Sequence, residues 1–288
     1  MKHSLSRRSF LTFSAVAGAG LALPSALMPT PAEAGPSAEL WDRWMAYSPR
    51  SNKQVDNTLF DEILRDYRHL SPDNVSLIDY ANLKRQGQSK LEDYISILET
   101  TPVDDLNRDE QFAYWGNFYN AVTLKVIIDH YPVASIRDID ISPGFFSNGP
   151  WGAKLTRAMG EDLSLDDIEH RILRPIWRDP RVHYVVNCAS IGCANIQAKA
   201  WRSDRLYGDL NQAASDYVNH PRGASVIDGK LQASTIYSWF VEDFDVDGGV
   251  IAHFKQYGEA SLVDQLVSID RVADYEYDWT LNDFKGTG

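Results

Sequence analysis

Asp109-Glu110-Gln111-Phe112-Ala113-Tyr114-Trp115-Gly116-Asn117-Phe118-Tyr119-Asn120-Ala121-Val122-Thr123-Leu124-Lys125-Val126-Ile127-Ile128-Asp129-His130-Tyr131 decides the fold. Phe112, Trp115, Tyr119, Val122, Val126 and Ile127 share one helical face, and Phe118, Leu124 and Ile128 are apolar on the other sides. A helix that is apolar nearly all round has no face to give to water, so it lies inside a domain with other elements wrapped about it. Pro132 ends it, because proline has no N–H to donate and disfavours helical backbone at the residue before it. Asn117 and Asn120 break the apolar pattern, three apart on one stripe beside Ala113 and Gly116. A buried amide without partners costs about 1–3 kcal/mol. These two side chains must therefore hold something: they could orient a histidine or donate to an oxyanion.

Outward from this helix the chain reads as mixed structure. Short amphipathic helices are predicted over residues 39–47, 57–70 and 91–99, none with a chemical motif. Residues 132–162 read as a long loop whose aromatics Phe145, Phe146 and Trp151 favour packing. A helix starts at Ser164, with Asp167 at the capping-box position and Leu163 and Ile168 spaced as a staple, and it stops before Pro175. Asp179-Pro180 introduces Val182–Asn187, a β-branched and aromatic run expected to be a strand. Residues 203–219 are helical, and 225–232 form a hairpin about Asp228-Gly229. Helices over 234–243 and 249–257 lead to an irregular, aromatic C-terminus. The class is α+β: a helix-rich single domain with a central antiparallel sheet and a buried helix, compatible with a papain- or transglutaminase-like arrangement. The eight tryptophans are scattered and mostly at core spacing.

The N-terminus is a targeting segment. Ser6-Arg7-Arg8-Ser9-Phe10-Leu11 is a twin-arginine signal, followed by a short apolar stretch and the small-residue site Ala32-Glu33-Ala34. The expected organisation is a signal peptide over 1–34, a helical segment over 35–99 packed on the main domain, and the main domain over 100–288. The export translocase is then a partner through Arg7 and Arg8, and the destination is periplasmic or secreted. No other segment is apolar enough to span a membrane. Losing the leader removes three basic residues and one acidic one, which takes the net charge from −12 to −14. Such acidity argues against nucleic acid as a partner. No cofactor motif is present, and the ligand, a small molecule or a peptide, is not identified.

Chemistry converges on the only two cysteines, Cys188 and Cys193, in the loop after the predicted strand. One reading is a thiol-dependent hydrolase or transferase acting on an amide of a peptide or cell-envelope component, with Cys188 as nucleophile. His183 lies five residues away, on the opposite face of a regular strand. His170 suits a base better: it sits about 165° from the middle of its helix's core face, exposed or facing a cleft. Asn117 or Asn120 would orient it. The alternative is a non-catalytic binding domain stapled by a Cys188–Cys193 disulfide, which an oxidising compartment favours. A zinc set of Cys188, Cys193, His170 and His183 is a further alternative. Glu169 falls near the apolar face of its helix and, if buried, needs Arg137 or Arg174. Asp243-Phe244-Asp245-Val246-Asp247-Gly248 reads as an acidic turn, with only half of a calcium loop's pattern.

Several blocks also resemble one family in order. Tyr114-Trp115-Gly116-Asn117-Phe118-Tyr119-Asn120-Ala121 is similar to its FWINLYNA block, and Arg181-Val182-His183-Tyr184-Val185-Val186-Asn187-Cys188, with Cys193 following, to its central motif. Tyr131–Asp138 and Leu163–His170 resemble two more blocks, and Trp239–Phe244 and Tyr277–Asn282 its closing ones. The family is domain of unknown function 547, and the likeness covers roughly residues 100–283. It implies a shared fold and pocket, and no reaction. The chain departs from the pattern at Gly192-Cys193-Ala194, where the family usually has Ser-Cys-Pro; without the proline the loop is expected to be looser.

Overall fold

The computed structural model describes residues 35–144 and 149–286. The signal peptide, Phe145 and Phe146 lie outside the described residues. The buried helix (α3, Arg108–His130) follows α1 (Thr58–Tyr67) and α2 (Gln88–Thr100). Asn107 caps α3 by accepting from the Glu110 N–H at 2.9 Å, the exchange a short polar side chain makes with an orphan amide. Every residue from Glu110 to Leu124 is buried, as an all-round apolar sequence requires. Helix α2 packs directly on α3. Helices α1 and α2 join through Phe60 and Tyr94, stacked at 4.9 Å and nearly parallel.

The strands are short and form three small sheets. β1 (Arg68–Leu70) pairs with β2 (Ser76–Ile78), and β3 (Thr156–Ala158) with β4 (Glu161–Leu163), both antiparallel. The third sheet has the order β5-β6-β7. Here β5 (Ala224–Ile227) and β6 (Lys230–Ser234) make the expected hairpin, and β7 (Asp274–Glu276) adds to β6 in parallel. Asp228 and Gly229 both take positive φ, 49° and 72°, as a tight Asp-Gly turn demands. The molecule is thus helix-rich α+β, with its β structure distributed rather than gathered in one central sheet.

The run expected as a strand is not one. Pro180–Tyr184 forms a 3-10 helix, and Val185–Ala189 is irregular. One local and one tertiary cause override the β-branched sequence. Asp179 accepts from the Arg181 N–H at 3.0 Å and starts a turn, with Pro180 pre-set at its first position. Beyond the turn, Asn120 of α3 takes the place of a partner strand: its amide donates to the Val185 carbonyl at 2.9 Å and accepts from the Asn187 N–H at 2.8 Å. Helix and loop lie so close that a Cβ on Gly116 would come within 2.3 Å of Val185 Cγ1.

The helix begun at Ser164 also differs. Ser164 and Asp167 exchange hydrogen bonds at 3.1 and 2.9 Å, the expected capping box. Winding then continues past Pro175, as a π-helix over Asp167–Leu173 and an α-helix over Arg174–Trp177. The proline is tolerated because it falls in the first turn of that α segment. Further on, α4 (Leu206–Val218) and α5 (Val250–Tyr257) form as expected. The predicted helix 234–243 splits into Ile236–Trp239 and Val241–Phe244, either side of Phe240.

Candidate thiol site and its supporting ion cluster

Both cysteines sit in one tight loop. Ala189, between Cys188 and Ser190, adopts φ +59°, a left-handed conformation that costs a non-glycine residue about 1–2 kcal/mol. Strain of this kind persists only where surrounding bonds over-determine it. Here Asn187 accepts from the Ala189 N–H at 2.9 Å and donates to the Ala194 carbonyl at 2.8 Å. The C-terminal segment supplies more: the N–H groups of Ile191, Gly192 and Asn282 bond to Thr280, Asp278 and Ala189 carbonyls. Arg222 donates to the Ile191 carbonyl at 2.9 Å and Asn195 Oδ1 at 2.6 Å, and the Tyr217 hydroxyl donates to the Gly192 carbonyl at 2.6 Å. The loop is pinned without the family's proline, contrary to the expectation of looseness. Gly192 is required there, since a Cβ would lie 2.9 Å from both the Asp278 amide and the Tyr277 ring.

This loop brings two sulfurs and two hydroxyls together. The Cys188 N–H donates to Cys193 Sγ at 3.0 Å. The Tyr277 hydroxyl is 3.1 Å from each sulfur and 2.9 Å from Ser190 Oγ, which is itself 3.4 Å from Cys188 Sγ. Both cysteines are free thiols, Cys188 half-buried and Cys193 buried, so the alternative disulfide is not formed in this structure. Burial alone would raise the Cys193 thiol. Hydrogen bonds from the Cys188 thiol, Tyr277 and the Cys188 amide outweigh it and lower Cys193 to about 6. Its hydrogen bond to Cys193, together with burial, pushes the Cys188 thiol well up. The pair therefore carries one negative charge at neutral pH and keeps one proton.

The two histidines are elsewhere. His183 Nε2 lies 2.7 Å from Asp243 Oδ2, its Nδ1 lies 3.7 Å from Glu169 Oε1, and its ring stacks on Phe240 at 4.3 Å. Arg174 donates to Asp243 at 2.6 Å, to the Pro36 carbonyl at 2.5 Å, and sits 3.1 Å from His170 Nδ1. Glu169 is partnered chiefly by His170 and His183, with Arg174 within electrostatic reach, whereas Arg137 lies over Trp279. Burial would raise Asp243 and Glu169. Bonds from His183 and Arg174 bring Asp243 down to about 2, and the cations around Glu169 do the same to it. Burial depresses His170 to about 4, so at neutral pH it brings no charge to Glu169, which keeps Arg174 and the hydrogen-bonding His183 as neighbours. The two carboxylates facing His183 raise it despite its burial.

His170 is neither exposed nor cleft-facing but 7% exposed. The face calculation assumed α-helical winding, and the π-helix turns less per residue. Residues near Gly35 then cover that face: the Glu39 N–H donates to the His170 carbonyl. No described contact joins His170 or His183 to a sulfur. The amides are likewise engaged: Asn117 pairs with the Trp201 backbone through two bonds of 2.9 Å, and Asn120 holds the loop. The zinc set is not assembled, and among the described residues no group of three or more His, Cys, Asp and Glu side chains is placed to hold a metal ion. Asp243 serves Arg174 and His183 rather than opening a calcium loop. Burial, with the nearby Glu169, Cys188, Cys193 and Asp166, raises the Tyr119 hydroxyl of α3.

Ser190, Tyr217, Arg222 and Tyr277 were not singled out by sequence reasoning, and Asp243 stood out only as the start of an acidic turn. The available signal was the closing block Tyr277–Asn282, which stood out only as a likeness. Comparison with known proteins agrees with that likeness in part. Residues 103–218 match the family described as "Protein of unknown function, DUF547", a span that contains both cysteines and both histidines but ends before Asp243 and Tyr277. Residues 4–24 match the signal sequence of the twin-arginine translocation pathway, so the chain is exported by that route. No helix among the described residues is long and apolar enough to cross a membrane. No curated protein matches the chain. No solved structure matches it.

Proposed function

We propose that the protein is a thiol-dependent enzyme that works by thiol–disulfide exchange through Cys188 and Cys193. One observation carries the reading: a single hydroxyl, that of Tyr277, lies 3.1 Å from both sulfurs. It can accept the Cys188 proton while donating its own to Cys193. That transfer leaves the half-buried Cys188 as the thiolate, the reactive form of the group.

The Cys188 thiolate attacks one sulfur of a substrate disulfide. The substrate S–S bond breaks, a mixed disulfide forms, and the other substrate sulfur leaves as a thiolate. Cys193 then gives its proton through Tyr277 to that leaving thiolate and attacks the Cys188 sulfur. A Cys188–Cys193 bond forms and the second substrate sulfur departs. Two electrons have passed from the protein dithiol to the substrate disulfide. The amide-hydrolase reading, with His170 as base, has less support, because that ring is buried against Arg174 and has no contact with a sulfur.

The test uses hydroxyethyl disulfide as substrate. A Cys193→Ser variant should accumulate one mixed disulfide on Cys188, seen by mass spectrometry, while the wild-type protein should close an intramolecular bond. A bond with a reduction potential below about −300 mV would mark a structural staple, and the stapled binding domain would replace the enzyme.

A further inference from the structure

Three of the eight tryptophans are not scattered in space. Trp151, Trp239 and Trp279 come from three distant parts of the chain and meet beside Tyr277. Trp279 lies 5.7 Å from Trp151, 5.5 Å from Trp239 and 4.7 Å from Tyr277, and Trp239 lies 4.9 Å from Tyr277. All four are only partly buried, unlike Trp44, Trp115 and Trp201, which are at most 2% exposed. Among the described residues, none of the three indole N–H groups makes a hydrogen bond. Arg137 stands 5.3 Å over the Trp279 ring. Because Tyr277 touches both sulfurs, the aromatic wall runs directly into the thiol site.

Two further features bear on what the wall would take. β7 leads straight into Tyr277, and among the described residues it has a strand partner on one side only, β6. An edge strand offers backbone N–H and C=O groups to an extended chain. Asp274, Glu276 and Asp278, in or beside β7, and Asp138, next to Arg137, are all exposed and disfavour an acidic ligand. Partly buried Trp and Tyr are residue types that anchor polypeptide partners.

We propose that Trp151, Trp239, Trp279 and Tyr277, with the edge of β7, bind an extended, neutral or basic polypeptide segment and deliver it to the cysteine pair. This assigns the substrate class of the thiol-exchange reading and rests on it for its purpose. The docking itself is measured without thiol chemistry.

The probe is a fluorescein-labelled, cysteine-free peptide of about ten residues that alternates Leu or Phe with Lys or Thr, followed by anisotropy on the exported protein. Trp279→Ala should weaken binding about tenfold or more, and Trp239→Ala somewhat less. The exposed Val267→Ser, outside the wall, should leave it unchanged, and replacing Lys by Glu in the peptide should weaken it. Trp279→Phe, checked by circular dichroism, serves if the alanine variant does not fold. Absence of binding at millimolar peptide overturns the proposal, as does binding indifferent to both tryptophans, or chitotetraose binding to the wall where the peptide does not. Peptide binding without disulfide exchange would instead sink the thiol reading and leave the docking wall standing.

Discussion

The ion cluster and the thiol cluster draw on the same short segment, Pro180 to Cys193, and solve opposite problems. In the first, Glu169, His183, Arg174 and Asp243 match charge with charge, and every described contact is spent within the protein. In the second, two sulfurs, two hydroxyls and one amide share too few protons, and one thiol is held near 6. A saturated buried network is rigid, since any loss strands a charge. An unsaturated one stays reactive. The chain thus anchors the base of a strained loop with the first and leaves the second free for chemistry.

The largest effect expected is on the anchor. Asp243→Ala removes the common partner of two groups whose side chains are each 2% exposed, Arg174 and His183, and should cost about 3–5 kcal/mol in urea unfolding. A loss under about 1 kcal/mol would mean that the network is not the support it is taken for. Next comes Asn120→Ala, which leaves the Val185 carbonyl and the Asn187 N–H without partners at about 1–3 kcal/mol each. It should also speed alkylation of Cys193, because the loop loses its tie to α3. An unchanged rate would uncouple helix from loop.

The pH dependence of stability on the acid side comes from the ion cluster. Glu169 and Asp243 are depressed to about 2 in the fold, against roughly 4 when unfolded. Their stabilisation is present above the unfolded value and is lost as pH falls through about 2, up to about 3 kcal/mol for a shift of this size. His170, depressed to about 4, acts in the same direction between about 6.5 and 4, where the unfolded chain binds the extra proton. Removing Glu169 with Gln should flatten the acid limb of a Tm–pH curve, and an unchanged limb would show that other carboxylates set it. The smallest effect on stability, and the most specific on chemistry, is that of Tyr277→Phe. It should leave unfolding within about 1 kcal/mol yet move the alkylation midpoint from about 6 upward, toward the ordinary thiol value of about 8.5. A midpoint that stays put would assign the thiolate to the Cys188 thiol and amide rather than to Tyr277.

Much of the fold was legible. The buried helix, its proline stop, the Ser164 capping box and the Asp-Gly hairpin all follow from periodicity and local side-chain chemistry, which act over three or four residues. The loop with both cysteines was also evident as the place to look. What misled was propensity at Val182–Asn187. A β-branched run becomes a strand only when another strand takes its hydrogen bonds, and here Asn120 takes them. The face of His170 was misplaced because a π-helical turn leaves no mark in spacing. Tyr277, 84 residues beyond Cys193, could not be joined to the thiols by any local rule.

The sequence by itself determined an exported chain with a buried central helix and a cysteine loop, because hydrophobic period, capping and signal residues are local. Only the tertiary structure decided which groups meet: histidines with carboxylates rather than with sulfur, Tyr277 with the cysteines, and three tryptophans beside Tyr277. Such meetings depend on how distant segments pack, and a linear spacing carries no record of that distance.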